Sequence, residues 1–145
     1  MELDVSTEIE IARPRAEVAA FAADPDNATR WYRNITSVEW ESSPPLRVGS
    51  RIAFVARFLG RTMSYTYEVK KWQPGERLVM ATAQGPFPME TSYAWSDAGT
   101  GTRMTLRNRG RPSGFGAVAA PVMKAALRRA TAADLRRLKE ILEAS

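Results

Sequence analysis

Three tyrosines, Tyr65, Tyr67 and Tyr93, are the side chains of this sequence best suited to acid–base chemistry. The chain contains no histidine and no cysteine, which excludes the usual general base, the commonest metal ligands, disulfides and thiol nucleophiles. A tyrosine hydroxyl can donate a proton or polarise a carbonyl, and Arg30 and Arg33 can hold a carboxylate or enolate oxygen. Any catalysis is therefore limited to tyrosines, carboxylates, Lys, Arg and bound water.

The carboxylates offer no pair placed to act with these tyrosines. Glu68 and Glu90 are predicted on the outward face of a sheet, and Asp134 is expected to pair with an arginine of its own helix. Such groups are more often salt-bridge partners than general bases. Neither GTG nor GRPSGFG has the spacing of a phosphate or dinucleotide loop. We therefore assign no catalytic residue, no metal ligand and no cofactor.

The stretch DNATRWYRNITSVEW places three large aromatic rings among polar residues. Trp31 fits either a stacking wall for a ring-bearing ligand or a hydrophobic plug at one end of the core, and both interpretations stay open. Arg30, Tyr32 and Arg33 are candidates for a cavity mouth. Trp40 is expected to pack against the preceding short helices.

The elements that must position these residues begin with alternation over residues 3–11, which predicts a strand with one buried face. Proline at a first helical position then predicts two short helices, over 14–24 and 25–32. A strand over 35–42 follows. Asp24, the last residue of the first predicted helix, can cap the second.

Residues 51–59 and 62–72 predict a hairpin with its turn at Gly60-Arg61. That register pairs two inward rows that are both apolar or aromatic, which favours the assignment of the faces. The facing pairs are Met63 with Phe58, Tyr65 with Ala56, Tyr67 with Phe54, and Val69 with Ile52.

Three further strands, over 77–83, 87–96 and 103–109, complete an antiparallel meander, although the two faces of 77–83 cannot be separated from the sequence. Helical spacing of leucines predicts a long helix over 115–143, with Ser113 as its cap and a bend at Pro121. This order predicts an α+β fold in which a curved antiparallel sheet of about seven strands wraps a long C-terminal helix. Space left between sheet and helix becomes a pocket.

The segments PRAEVAAFAADPDNATRWY, VGSRIAF, GTGTRMTL and LRRLKEILE, in this order, resemble the helix-grip proteins of the START-like (SRPBCC) superfamily, and most closely its polyketide cyclase/dehydratase group. The likeness spans nearly the whole chain and implies one domain, 1–145. It also implies that a hydrophobic ligand is enclosed between sheet and helix. A minority of branches catalyse cyclisation or dehydration, and no catalytic motif common to the superfamily can be carried over.

The predicted cavity lining is mostly apolar, with a few hydroxyls and one amide, as expected of a site for a small hydrophobic ligand. A filled core is the alternative. The predicted ligand-binding residues are Trp31, Phe54, Phe58, Tyr65, Tyr67, Met80, Met89, Thr91, Tyr93, Met104, Leu106, Asn108, Phe115, Val118 and Val122.

These features predict a protein that binds, sequesters or transports a small hydrophobic ligand, aromatic or lipid-like. A cofactor-independent cyclase/dehydratase is the first alternative. The second is an interaction module that uses the basic C-terminal helix, since residues 101–145 carry 10 basic and 3 acidic side chains against 11 and 13 in residues 1–100. We expect a cytoplasmic monomer or homodimer with no transmembrane segment and no nucleic-acid partner.

Overall fold

The computed structural model describes residues 2–145 and consists of one seven-stranded antiparallel sheet, two short helices after its first strand, and a long C-terminal helix. The predicted α+β helix-grip architecture is confirmed. A 3₁₀ turn at Pro25–Asn27 precedes α2. The elements are β1 (Leu3–Ile11), α1 (Arg15–Ala23), α2 (Ala28–Trp31), β2 (Ile35–Trp40), β3 (Arg51–Phe58), β4 (Arg61–Gln73), β5 (Arg77–Gln84), β6 (Met89–Ala98), β7 (Gly101–Gly110) and α3 (Ala120–Glu143).

The strands lie in the order β1-β7-β6-β5-β4-β3-β2, so β1 and β2 are the edges of the sheet. β4, the longest strand with 13 residues, shifts register against β5 at two points, between Thr66 and Tyr67 and between Val69 and Lys71. β2 shifts against β3 between Ile35 and Ser37. Such irregularities bend a strand and increase its twist, which gives the sheet a concave face.

Helix α3 lies across this concave face and packs mainly against β1 and α2. Its buried side chains fall at helical spacings of three, four or eight residues, with Asp134 and Leu135 adjacent, so they share one face of an amphipathic helix. They are Met123, Thr131, Asp134, Leu135, Leu138 and Leu142. Because α3 lies nearest to one edge of the sheet, the middle strands keep free space above them.

The predicted start of the long helix is wrong. Gly114 and Gly116 have φ values of 83° and 64°, which are incompatible with a right-handed helix. α3 therefore begins at Ala120, and its N-cap residue is Ala119, with no side-chain cap, instead of Ser113. Pro121 falls in the first helical turn, where its missing N–H removes no helical hydrogen bond, and the predicted interior bend does not arise.

The predicted turn of the β3–β4 hairpin is displaced by one residue. Leu59 and Gly60 occupy the two central positions, with φ values of 50° and 77°, as a type I′ turn requires. The register consequently moves by two residues, so Phe54 faces Tyr65 and Ile52 faces Tyr67. A two-residue shift leaves every side chain on its predicted face because strands repeat every two residues.

The structure also resolves the two faces of β5 and the start of β6. Leu78 and Met80 are 1% and 5% exposed and form the inward row, facing Tyr93 and Thr91 on β6. β6 begins at Met89, two residues later than predicted, since prolines flank Phe87 and cannot donate ladder hydrogen bonds.

The left-handed conformation of Leu59 predicts a stabilising substitution. We expect Leu59→Asn to raise the free energy of unfolding by roughly 1 kcal/mol, because asparagine adopts positive φ at lower cost than leucine. Urea denaturation measures the change. Leu59→Ala removes the same exposed side chain but keeps the unfavourable φ, so it should give no gain; equal effects of the two variants would refute this reasoning.

Candidate ligand-binding cavity

A cavity of about 160 Å³ lies between the concave face of the sheet, α3 and the short helices. Its walls are largely aromatic and aliphatic. An apolar cavity of about 150 Å³ can bind benzene, so this one has room for at least one aromatic ring. The space between sheet and helix is therefore not closed by protein side chains, as the alternative of a filled core would require.

Most residues of the predicted inward row line this cavity. The predicted residues that line it are Tyr32, Phe54, Phe58, Tyr65, Tyr67, Met80, Met89, Thr91, Tyr93, Asn108 and Phe115.

Trp31, Met104 and Leu106 do not line the cavity, because all three are fully buried in the core. The Trp31 ring packs on Tyr32 at 4.1 Å and on Tyr93 at 5.8 Å between centroids. It therefore supports the cavity wall from behind. Its position matches the plug that the sequence left open as the alternative to a stacking wall.

The other predicted residues outside the lining lie near the protein surface. Val118 is half-buried in the loop before α3, and Val122 is 60% exposed. Both placements follow from the later start of the helix, which turns Met123 inward instead. Arg30 and Arg33 are exposed, and neither lines the cavity.

Several lining residues were not among the predicted set. Met63 belongs to the inward row of β4, and Leu127 and Ala130 lie on the face of α3 that the leucine spacing defines, so periodicity alone could have included them. Phe87 lies in a loop, for which periodicity gives no orientation. Asp134 also lines the cavity and was not predicted to do so. The sequence signal for it was an isolated acid on the apolar face of a helix.

Three phenylalanines from different segments pack together at one end of the cavity. Phe115 lies 5.9 Å from both Phe58 and Phe87 between ring centroids. The Arg61 guanidinium stacks 5.3 Å above the Phe115 ring and donates a hydrogen bond to the carbonyl of Ser113. The β3–β4 turn is thereby tied to the loop before α3, and we call Phe58, Phe87 and Phe115 the phenylalanine end.

Two hydroxyl pairs place polar groups within the apolar lining. The hydroxyls of Tyr32 and Tyr93 are 2.5 Å apart, and burial raises the pKa of each. Tyr67 and Thr91 bond at 2.7 Å, and Thr91 donates to Oδ1 of Asn108 at 2.7 Å. Thr91 has one proton, so Tyr67 donates to Thr91. Burial also raises the pKa of Tyr67 to about 12, and these hydroxyls are protonated at neutral pH.

Asp134 does not pair with an arginine of its own helix, contrary to expectation. It is 3% exposed, lines the cavity, and accepts the backbone N–H of Arg33 at 3.1 Å. Burial raises the pKa of this carboxyl to about 6, although the Arg33 contact opposes the shift. A carboxyl kept away from bulk water in this way is unusual among acids and marks a candidate functional position.

Asp24, Arg57 and Arg109 also border the cavity, whereas Glu68 and Glu90 are paired on the sheet surface. Glu68 bonds Arg51 and Lys70, and Glu90 lies 3.6 Å from Arg109. Both acids therefore occupy the outward face, as predicted.

Several features away from the cavity bear on the other expectations. Trp40 donates its indole N–H to Asp26 in the 3₁₀ turn at 2.9 Å, which is the predicted contact with the short helices. The arginines of the basic helix, Arg128, Arg129, Arg136 and Arg137, are exposed on α3. Within residues 2–145, none of the helices has the length and apolar character needed to cross a membrane.

The curled sheet, the helix across its concave face and the cavity between them define a START-like protein. More specifically, the chain belongs to the family described as polyketide cyclase / dehydrase and lipid transport, whose model matches residues 2–143. The resemblance found in the sequence is therefore confirmed. Comparison with curated proteins gave no match.

Similar solved structures support the same fold. TTHA0849 from Thermus thermophilus superposes with a TM-score of 0.84 at 22% identity, covering 99% of both chains. A START superfamily protein from Mycobacterium smegmatis gives 0.83 at 15% identity, covering 97% of both. The Zhui aromatase/cyclase from a Streptomyces species gives 0.79 at 15% identity, covering 99% of this chain and 94% of that one.

The buried carboxyl predicts a pH-dependent gain of stability in Asp134→Asn. The pKa of Asp134 is about 6 in the folded protein against an ordinary value of 3.8, so folding disfavours the ionised form. The protonated carboxyl therefore makes its full contribution to the free energy of unfolding below about pH 4, and this contribution is lost as the pH rises through about 6. At pH 7.5 we expect the variant to be more stable by up to about 3 kcal/mol, with the difference vanishing near pH 3.5.

Urea denaturation at several pH values measures this difference. Asp97→Asn is the matched control, because the Asp97 side chain is 71% exposed and paired only at the surface with Arg15, where such a change has little effect. A constant difference between Asp134→Asn and the original protein across the pH range would contradict the assignment.

Proposed function

We propose that this protein binds a small hydrophobic, ring-bearing molecule in its cavity and thereby sequesters or transports it. The observation that carries the proposal is an open volume of about 160 Å³ whose walls are mainly Phe, Tyr, Met and aliphatic side chains. An apolar ligand that enters such a volume leaves water and gains contact with close-packed walls, and both effects favour binding. The family description, which includes lipid transport, agrees with a role in carrying a ligand.

The character of the lining supports a ligand that is apolar over most of its surface. Met63, Met80 and Met89 contribute flexible thioethers that adapt to different ring shapes. Phe54 lies 5.6 Å from Tyr65 and 5.8 Å from Tyr67 between ring centroids, which provides an aromatic wall for edge-on or offset contact with a ligand ring.

Filling the cavity should weaken ligand binding. Ala130 on α3 lines the cavity, and we expect Ala130→Phe to weaken the binding of 4-ethyltoluene, a single-ring apolar probe, at least tenfold because the new ring occupies its space. Isothermal titration calorimetry or ligand-observed NMR measures the affinity.

The matched control is Ala125→Phe, which adds the same ring to an exposed position of the same helix. It should leave probe affinity unchanged. Circular dichroism checks that both variants fold. Equal affinities of the two variants for the probe would place binding elsewhere and refute the proposal.

A cofactor-independent cyclase or dehydratase is the second candidate function. Four tyrosines and a carboxyl with a pKa of about 6 line the same cavity, and such a carboxyl can both give and accept a proton near neutral pH. The Zhui aromatase/cyclase is a structural neighbour, although fold likeness alone does not assign a reaction.

A linear poly-β-ketone thioester tests this candidate, with cyclised product measured by mass spectrometry. A cyclase of this kind should lose at least tenfold in turnover in Tyr65→Phe or Tyr93→Phe while retaining affinity for the probe. Absence of product from the original protein, or undiminished turnover in both variants, would eliminate it.

A further inference from the structure

One group of cavity-lining polar side chains combines a charged acceptor with a neutral donor that the protein itself leaves unpaired. This group, the polar end, consists of Tyr32, Tyr93 and Asp134, contributed by the residue after α2, by β6 and by α3. The Asp134 carboxylate raises the pKa of both tyrosines, as a smaller contribution than burial. Asp134 also accepts the backbone N–H of Arg33, the residue that follows Tyr32, and Tyr32 bonds Tyr93, so contacts connect all three side chains along the cavity wall.

Asp134 has an oxygen that is available to a ligand. Its Oδ1 accepts the backbone N–H of Arg33, and among residues 2–145 no group donates to Oδ2. The fully buried side-chain atoms without a partner in that range are the indole nitrogens of Trp31 and Trp95, so Oδ2 keeps some accessible surface. Because Asp134 is only 3% exposed and lines the cavity, we infer that Oδ2 faces the cavity.

The tyrosine pair supplies the complementary donor. Two hydroxyls carry two protons, and the bond between Tyr32 and Tyr93 uses one of them. The second proton has no acceptor among residues 2–145. The polar end therefore presents one charged acceptor and one neutral donor to the same cavity.

We propose that the polar end is a subsite for a hydroxyl group, so that the ligand is a hydroxylated ring compound whose O–H donates to Asp134 Oδ2 and whose oxygen accepts from the tyrosine pair. This assignment rests on the proposed function and names the class of its ligand. It makes Asp134 a residue that determines specificity.

Hydroxyl fits this subsite better than the other common polar groups. A ketone or an ether only accepts, which leaves the Asp134 oxygen without a donor, and an unpaired buried charge is costly. A protonated amine only donates, so the spare tyrosine proton would face a cation. A hydroxyl both donates and accepts and satisfies both groups at once.

Three probes of nearly equal shape test the assignment: 4-ethylphenol, 4-ethylanisole and 4-ethyltoluene. Calorimetric titration at pH 7.5 should give 4-ethylphenol at least tenfold higher affinity than the other two probes. Without a hydroxyl subsite the opposite order is expected, because 4-ethylphenol loses the most hydration when it enters an apolar cavity. Asp134→Leu should abolish this preference and leave the affinity for 4-ethyltoluene equal or higher. Tyr93→Phe should reduce the preference in part, since Asp134 still accepts.

Asp97→Leu is the matched control, because it removes an exposed carboxylate with no cavity contact, and it should keep the full preference. Asp134→Asn serves if Asp134→Leu does not fold; it keeps the shape of the side chain but not its charge, and should reduce the preference at least threefold.

The outcomes separate the two proposals. Equal affinity of the original protein for all three probes overturns the hydroxyl subsite and leaves the proposed function standing, and so does a preference that survives in the Asp134 variants. If none of the probes binds, the proposed function fails together with the subsite.

Discussion

The structure depends on an incomplete contact between one helix and one curved sheet. α3 uses its buried face mainly against β1 and α2, while β3 to β6 curve away beneath it. A straight helix can follow only part of a concave surface, and here the remaining volume is bounded by aromatic rings from the sheet and the loops and by aliphatic side chains from α3. The apolar residues that would form a filled core in a flatter sheet therefore become the walls of a cavity. The energetic cost of that unfilled volume is consistent with a site that a ligand completes.

Within the cavity the polar groups are not scattered. The Tyr67–Thr91–Asn108 chain uses each of its hydroxyl protons internally, and it connects β4, β6 and β7 across the sheet face. The Tyr32–Tyr93 pair leaves one hydroxyl donor unpaired, and Asp134 leaves one carboxylate oxygen unpaired. An ionised carboxylate held in such surroundings lowers the stability of the empty protein, and sites of recognition commonly carry this kind of local cost.

The sequence was informative about the fold because the relevant signals are local. All seven strands were predicted, most of them from alternation and β5 from the turn residues on either side of it. A hairpin register wrong by two residues still gave correct faces, since a strand repeats every two residues. The start of α3 was missed because leucine spacing does not reveal the positive φ angles of Gly114 and Gly116. For the same reason Val122 was misplaced. The environment of Asp134 could not be derived at all, since its partner, the Arg33 backbone, is 101 residues away.

The two edge strands have a consequence for the behaviour of the protein at high concentration. An open sheet exposes unpaired backbone groups at its borders, which can recruit strands of other molecules. At one border β2 is only six residues long and interrupted by a register shift. At the other, Lys139 donates to the backbone carbonyl of Glu10 at 2.7 Å and the Glu143 carboxylate accepts the N–H of Ala12 at 2.8 Å. Both borders are thus poor templates for intermolecular β-pairing, which favours a protein that resists aggregation while its cavity is empty.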